Sequence, residues 1–243
     1  MVSQTDINYI NRVVEGGLSE DSLTLNLKGK FLGDDAIPAL LLCPQLEHIQ
    51  NLDLTKNNIT WRGARLLFAC KSFKSLKRLY IGENEIDDRG VQFFMQAPFV
   101  SQLVNLDLRY NGIGPDGGVA LAKSDSFKKL QVLILQENET GDDTLRELVA
   151  NKSFSNIRKL NIYKSKVTDE GVKALAKARY LKKLKYLNLA RNVIRKPGAF
   201  ALASARHLIN LEILMMFDTF IGDEGEKALL EANAFKLKTL RLT

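Results

Sequence analysis

Cysteine, histidine and tryptophan are scarce in this chain of 243 residues, which holds two, two and one of them. Cys43 and Cys70 cannot build a disulfide framework, and neither belongs to a Cys-x-x-Cys pair of the kind that binds zinc or does thioredoxin-like chemistry. His48 and His207 each stand without a cluster of Cys, Asp or His at metal-ligand spacing, so neither a metal nor a cofactor is expected. No run approaches the roughly 18 uncharged apolar residues of a membrane span. Met1 to Gly17 lacks the basic and apolar regions of a secretory signal. The reducing cytosol is therefore the expected compartment, with delivery by a leaderless route left open. Proline is low at 5 and glycine ordinary at 16, against 45% hydrophobic and 26% charged residues, a balance that excludes disorder and a collagen-like chain.

What is present is a clock. Asn57, Asn84, Asn111 and Asn138 follow one another at steps of 27, and the same step reaches Ser165, Asn192 and Thr219 forward and Lys30 backward. Around each place stands one frame: Ile49, Leu52, Leu54, Asn57, Ile59, then Leu76, Leu79, Ile81, Asn84, Ile86, then Leu103, Leu106, Leu108, Asn111, Ile113. The alternation in Leu52-Asp53-Leu54 predicts a short strand with one face buried. The asparagine after it can satisfy backbone groups where the chain turns. Stacked copies predict an asparagine ladder of Asn57, Asn84, Asn111, Asn138 and Asn192. After a recurring glycine, segments such as Gly171-Val172-Lys173-Ala174-Leu175-Ala176 carry apolar residues at helical spacing, which predicts one helix per repeat. Leu46, Phe73, Val100, Phe127, Phe154, Leu181, Leu208 and Phe235 form a further column that would stack as a spine between helix and next strand.

The pattern L-x-x-L-x-L-x-x-N-x-L in eight copies resembles the leucine-rich repeat family, and the 27-residue length with a full helix resembles its ribonuclease-inhibitor-like class. That resemblance covers about residues 22 to 243. It implies an α/β solenoid of horseshoe shape, with a parallel sheet on the concave face and helices on the convex face. Residues 1–243 then form a single domain. Residues 1–22 make an N-terminal helical cap, with Ile7, Ile10, Val13 and Val14 on one face. About eight repeats follow from 22, and residues 237–243 begin a terminal strand that looks cut short. An open edge there would let two copies meet as a homodimer, although Lys236, Lys238 and Arg241 oppose strand pairing.

Three motifs imitate catalytic or binding sites. Gly112-Ile113-Gly114-Pro115-Asp116-Gly117 matches G-x-G-x-x-G, with Glu137 beyond it, yet Ile113 and Gly117 already have places in the repeat. Cys43 and His48 could pose as nucleophile and base, but Cys43 and Cys70 share a column with Ala97, Ser124 and Ala178, which suits small buried residues. The acidic pairs Asp34-Asp35, Asp87-Asp88, Asp142-Asp143, Asp169-Glu170 and Asp223-Glu224 recur at one point of the clock just ahead of a helix, which predicts helix capping rather than acid–base catalysis. No catalytic residue is assigned, and the chain is not expected to be an enzyme.

Function is therefore sought on the concave surface, among the residues that alternate with the core leucines. They are polar in the first half and turn apolar later, at Val132, Ile134, Tyr163, Tyr186, Ile213, Met215 and Phe217. An exposed apolar cluster of this kind marks a contact surface for a partner protein. Charge adds a second handle. The chain is +7 overall, but residues 152–200 hold 14 Lys or Arg against Asp169 and Glu170, a net +12. Arg158, Lys159, Lys164, Lys185 and Arg191 are expected near the concave side, and Lys173, Lys177, Lys182, Lys183, Arg195 and Lys196 toward the helices or edges, with the charge spread around the solenoid. Spread in this way, the charge reads equally as a solvated surface or as a match to an acidic protein partner. The alternative is a nucleic acid or other polyanion, with Tyr163 and Tyr186 stacking bases. A third reading, regulation of a small GTPase, rests only on resemblance to the helical-repeat Ran GTPase-activating proteins. The leucine-rich repeat resemblance leaves room for a bacterial effector.

Overall fold

The computed structural model describes residues 2–232 and 235–242. A capped helix opens the chain: Ser3 and Asp6 cap each other reciprocally at the start of α1 (Gln4–Gly17), and its apolar face buries Ile10 and Val14. Strands of three residues then alternate with helices. The strands are β1 (Thr24–Asn26), β2 (Asn51–Asp53), β3 (Arg78–Tyr80), β4 (Asn105–Asp107), β5 (Val132–Ile134), β6 (Lys159–Asn161), β7 (Tyr186–Asn188), β8 (Ile213–Met215) and β9 (Thr239–Arg241). Between them lie α2 (Ile37–Leu40), α3 (Trp61–Phe68), α4 (Asp87–Phe94), α5 (Pro115–Lys123), α6 (Gly141–Ala150), α7 (Asp169–Ala176), α8 (Lys196–Ala203) and α9 (Gly222–Leu230). Among the described residues all nine strands pair in parallel and in chain order, each repeat beside the next. This is an α/β leucine-rich repeat solenoid, in which each parallel crossover carries its own helix.

The register follows the clock. Leu25, Leu52, Leu79, Leu106, Leu133, Leu160, Leu187, Leu214 and Leu240 are successive partners across the sheet. The last step, Leu214 to Leu240, is one residue shorter than the others, so Phe235 falls out of the spine's register and is only partly buried. Thr243, the last residue assigned to the terminal strand, lies outside the described residues. The remaining spine residues, Leu46 through Leu208, are buried. In the first repeat the helix is shortened to the single turn α2.

The asparagines make the expected ladder. Asn57, Asn84, Asn111, Asn138 and Asn192 are all buried. Asn84 shows the pattern: its Oδ1 accepts the N–H of Asn57 and of Ile59, both at 3.0 Å, while its Nδ2 donates to the carbonyls of Leu54, Ile81 and Gly82. One side chain thus serves two repeats: it satisfies the buried N–H of Asn57 and of Ile59, while the Ile81 and Gly82 carbonyls also accept from Asn111 Nδ2 and from the Lys56 N–H. The residue just ahead of each ladder position takes the left-handed conformation, from Lys56 (φ 60°) and Glu83 through Tyr110, Glu137, Lys164 and Arg191 to Asp218. That turn throws those side chains outward along the rim where the strands end.

The acidic column acts differently from its predicted role. Asp34 does not cap its own repeat's helix. Its Oδ1 accepts the N–H of Thr60 at 2.8 Å and its Oδ2 the Thr60 hydroxyl at 2.5 Å, so it reinforces the start of α3 in the next repeat. Asp142 does the same for Thr168 ahead of α7, Asp88 for Gly114 ahead of α5, and Asp169 for Arg195 and Gly198 at α8. Asp87 alone of the Asp87-Asp88 pair serves its own helix, accepting from the N–H of Arg89 and of Gly90. The carboxylates therefore fasten one repeat to the next, at helix N-termini where negative charge is favoured.

This column also explains the recurring glycine at Gly63, Gly117, Gly171 and Gly198, where an aspartate stands in the preceding repeat. A Cβ on Gly117 would come within 2.4 Å of Asp88 Oδ1, and one on Gly171 within 2.4 Å of Asp142 Oδ1. Glycine is required because the carboxylate of the preceding repeat fills the space of a side chain.

Candidate functional site: the open face of the sheet

Three rows of side chains stand on the sheet face turned away from the helices. Val132, Lys159, Tyr186 and Ile213 are register partners in the first row, and Ile134, Asn161, Asn188 and Met215 in the second. The third row lies just past the strands and contains Gln136, Tyr163, Ala190 and Phe217. All seven apolar residues singled out from the sequence are half-buried on this face. They do not form one continuous sheet of hydrocarbon. Asn161 and Asn188 separate Ile134 from Met215 and are themselves buried, with Oδ1 of each turned to a local backbone N–H.

The strongest local feature is an aromatic pair. Tyr163 and Phe217 lie two strands apart, yet their ring centroids are 6.1 Å from each other. The residue between them is Ala190, wholly buried, and its small side chain lets the two rings close over it. Arg191 covers Tyr163 with its guanidinium 5.7 Å from the ring centroid, and its Nε donates to Asp218 at 2.8 Å. Lys159 Nζ sits 4.8 Å from the centroid of Tyr186. Two aromatic platforms thus carry cations, an arrangement common in contact surfaces.

The five basic residues expected near the concave side occupy three different places. Only Lys159 stands on the face. Lys164 and Arg191 lie on the outward-turned rim and are ion-paired, Lys164 with Glu137 at 2.6 Å and Arg191 with Asp218. Arg158 and Lys185 precede their strands and line the opposite edge. There Lys185 and Lys238 grip Glu212 from both sides at 2.7 and 2.8 Å, which holds its carboxyl down at about 2. Arg158 and Lys159 have no carboxylate partner among the described residues.

The polar half of the face holds a carboxylate that sequence reasoning missed. Asp107, in the middle row between Tyr80 and Ile134, is only 2% exposed. Burial pushes its carboxyl above the usual carboxylate range, against the opposing pull of the Arg109 backbone N–H and the guanidinium 3.4 Å away. With its folded value raised, the charged form is a burden at neutral pH. The associated stability is full below about 3.9 and is lost as pH rises through the raised value. Asp107→Asn is therefore expected to melt higher than the parent at pH 7 and to match it near pH 3. A variant that melts lower at pH 7 overturns this account.

On the convex side Trp61 breaks the acidic column, standing where Asp34 and Asp88 stand in the repeats before and after. Arg62 and Arg89 place guanidiniums 4.8 and 4.7 Å from its ring centroid, and Phe93 stacks beside it at 6.4 Å. A groove of about 660 Å³ runs beside it, lined by Asp6, Asp34, Asp35, Arg62 and Arg65 among others. The motifs that imitated active sites have structural explanations. Asp88 Oδ1 accepts the Gly114 N–H at 2.7 Å, so a carboxylate already occupies the glycine-rich turn where a phosphate would need to lie. Burial pushes the Cys43 thiol up, which keeps it protonated, and its Sγ contacts Asn11 Oδ1 at 3.6 Å. Among the described residues no three His, Cys, Asp or Glu side chains gather to hold a metal ion, and no helix is long and apolar enough to cross a membrane.

The comparison with known families agrees with this geometry. A family model described as Leucine Rich repeat matches residues 45–68, 74–95, 103–122, 155–176 and 180–203, each match spanning a strand and the helix after it. The chain is a leucine-rich repeat protein. No curated protein matches it. Leucine-rich repeat proteins generally mediate protein–protein contacts, and the open sheet face of this leucine-rich repeat protein turns from mostly polar to largely apolar after β4.

Proposed function

We propose that this chain is a non-enzymatic interaction scaffold of the ribonuclease-inhibitor-like class, and that a partner protein docks on the concave face over β5 to β8. One observation carries the reading: the open face changes from polar to apolar and aromatic after β4, and the aromatics there are half-exposed with cations upon them. Aromatic anchors ringed by Arg and Lys are the usual composition of binding hot spots. The unpaired Arg158 and Lys159 beside Val132 and Tyr186 favour an acidic flank on the partner. The nucleic-acid alternative is weaker on this face, because Lys164, Lys185 and Arg191 already hold carboxylates and Tyr163 is closed against Phe217. Regulation of a small GTPase has no residue to support it.

The double change Tyr163→Ala with Phe217→Ala tests the reading. It is expected to weaken capture of the partner by about 2 kcal/mol or more, with a melting temperature close to the parent's, since both rings lie outside the leucine core. Pull-down with the intact chain and the variant, followed by titration of the captured protein, gives the answer. Unchanged binding removes these residues from the interface. Pairing of two copies along the outer side of β9 is a further proposal that Lys238 and Arg241 weaken by charging that edge. Sedimentation of the parent and of Leu242→Glu at micromolar concentration checks it, and a monomer in both ends it.

A further inference from the structure

The charge of the chain is sorted between the two edges of the solenoid. In the four segments that return from helix to strand after α5, α6, α7 and α8, residues 125–131, 152–158, 179–185 and 206–212 hold nine Lys or Arg against Asp125 and Glu212, a net +7. The segments that leave the strands of the same repeats, counted from the rim as residues 110–117, 137–144, 164–171 and 191–198, hold seven Asp or Glu against five Lys or Arg, a net −2. Stacking in register turns this alternation into one basic edge and one acidic edge. The basic charges are also unspent. Eight of the nine, all but Lys185, have no carboxylate partner among the described residues, and all nine are exposed.

Compensation of helix dipoles does not account for them. That effect is confined to a helix's last turn, whereas α7 ends at Ala176 and Lys182 and Lys183 stand six and seven residues beyond. Nor are they mobile arms. Asn156 Nδ2 donates to the carbonyl of Lys128 and Asn210 Nδ2 to that of Lys182, both at 2.7 Å, and Lys183 Nζ donates to Asn156 Oδ1 at 2.6 Å, so the four return segments are tied in a row. Four repeats set at strand to helix spacing spread these cations over roughly 15 to 30 Å. Within the same strip Tyr180 is 39% and Ile209 48% exposed.

We propose that this edge is a docking surface for an anionic lipid bilayer, with the acidic edge facing away from it. A broad field of lysines at fixed positions suits a surface of many headgroups, and each Lys or Arg near such a surface adds attraction. Tyr180 and Ile209 are suited to the headgroup level, one amphipathic and one apolar. A single nucleic-acid strand would need a groove of stacking aromatics, and duplex readout a helix or ribbon that enters a groove. This edge presents tethered loops and one tyrosine. The proposal shares Arg158 with the concave-face reading and otherwise rests on different residues.

Cosedimentation of the full chain with vesicles decides it, using phosphatidylcholine alone and phosphatidylcholine with roughly 30% phosphatidylserine at about 0.1 M salt. Binding to the anionic vesicles and not to the neutral ones is expected. The triple variant Lys128→Gln, Lys152→Gln, Lys182→Gln is expected to lower the partition coefficient by about 100-fold, three charges at the usual strength. The matched triple Lys166→Gln, Arg195→Gln, Lys196→Gln on the opposite edge removes the same net charge and is expected to change it by less than about 5-fold. Equal binding to neutral vesicles, or equal losses in the two triples, overturns the proposal. So does displacement from vesicles by a duplex DNA fragment at equal phosphate concentration, which would assign the edge to nucleic acid. Thermal melts accompany both triples, and the single change Lys182→Gln, expected to cost about 5-fold, serves if a triple fails to fold.

Discussion

Replacing Asn111 with Ala is expected to destabilise the protein by roughly 2 kcal/mol, read as a shift of the denaturant midpoint at unchanged slope. The side chain is 1% exposed, and its Nδ2 donates to the carbonyls of Ile81, Leu108 and Arg109 at 3.0 to 3.1 Å. Its Oδ1 also accepts from the Ile86 N–H, at 3.4 Å. Alanine takes one of two donors from each carbonyl, since Ile81 keeps Asn84 Nδ2, Leu108 keeps Asn138 Nδ2 and Arg109 keeps the Glu83 N–H, and it strips the buried Ile86 N–H of its acceptor, an orphan that costs about 1 to 3 kcal/mol. Ser165 is the internal control. It occupies the same column and is as buried, but its hydroxyl donates only toward the carbonyls of Leu135 and Tyr163. Ser165→Ala is expected to cost about 1 kcal/mol, and equal effects at the two positions would mean that the ladder has no energetic weight of its own.

The ladder, the leucine rows and the sheet order were legible because every repeat solves the same problem with the same residues. Eight repetitions in register make a weak local signal strong. The apolar turn of the sheet face was legible for the same reason, since Val132, Tyr186 and Ile213 stand where earlier repeats place Thr24, Asn51 and Arg78. What stayed hidden depends on distances between repeats. Nothing local to Asp142 says that its carboxylate reaches Thr168 rather than its own helix, although the shared period of the Asp and Gly columns, as at Asp142 and Gly171, holds the clue. Ion pairs such as Lys164 with Glu137 decide which cations remain free, and they too join neighbours 27 residues apart. The sorting of charge between edges was hidden because the sequence alternates basic and acidic segments, and only the stacking of repeats separates them. Asp107 was hidden by its neighbours: Asp53, one repeat earlier than Tyr80 in the same row, is far less buried.

The contact between Asp142 and Gly171 gives the sharpest test of how the repeats are fastened. Gly171→Ala alone is expected to cost about 2 kcal/mol, because the new methyl would lie 2.4 Å from Asp142 Oδ1 and 3.0 Å from Val167 Cγ1, in a place with little room to give. Asp142→Ala alone is expected to cost about 2 kcal/mol as well, through loss of the acceptor for the N–H and hydroxyl of Thr168 at the start of α7. The two changes should not add. Once the carboxylate is gone, the methyl introduced at position 171 enters the space it vacated, and alanine's better helix propensity, about 1 kcal/mol over glycine, counts in its favour. The double variant is therefore expected to be no less stable than Asp142→Ala, which gives a coupling energy of about 2 kcal/mol from the cycle. Additive losses would show that glycine is required at this position for its close approach to Val167 rather than to admit the aspartate of the repeat before it. The same cycle at Asp88 and Gly117, where the glycine-rich turn imitates a nucleotide site, would then separate a packing role from a binding role: packing predicts the same non-additivity there, and stability alone reads it.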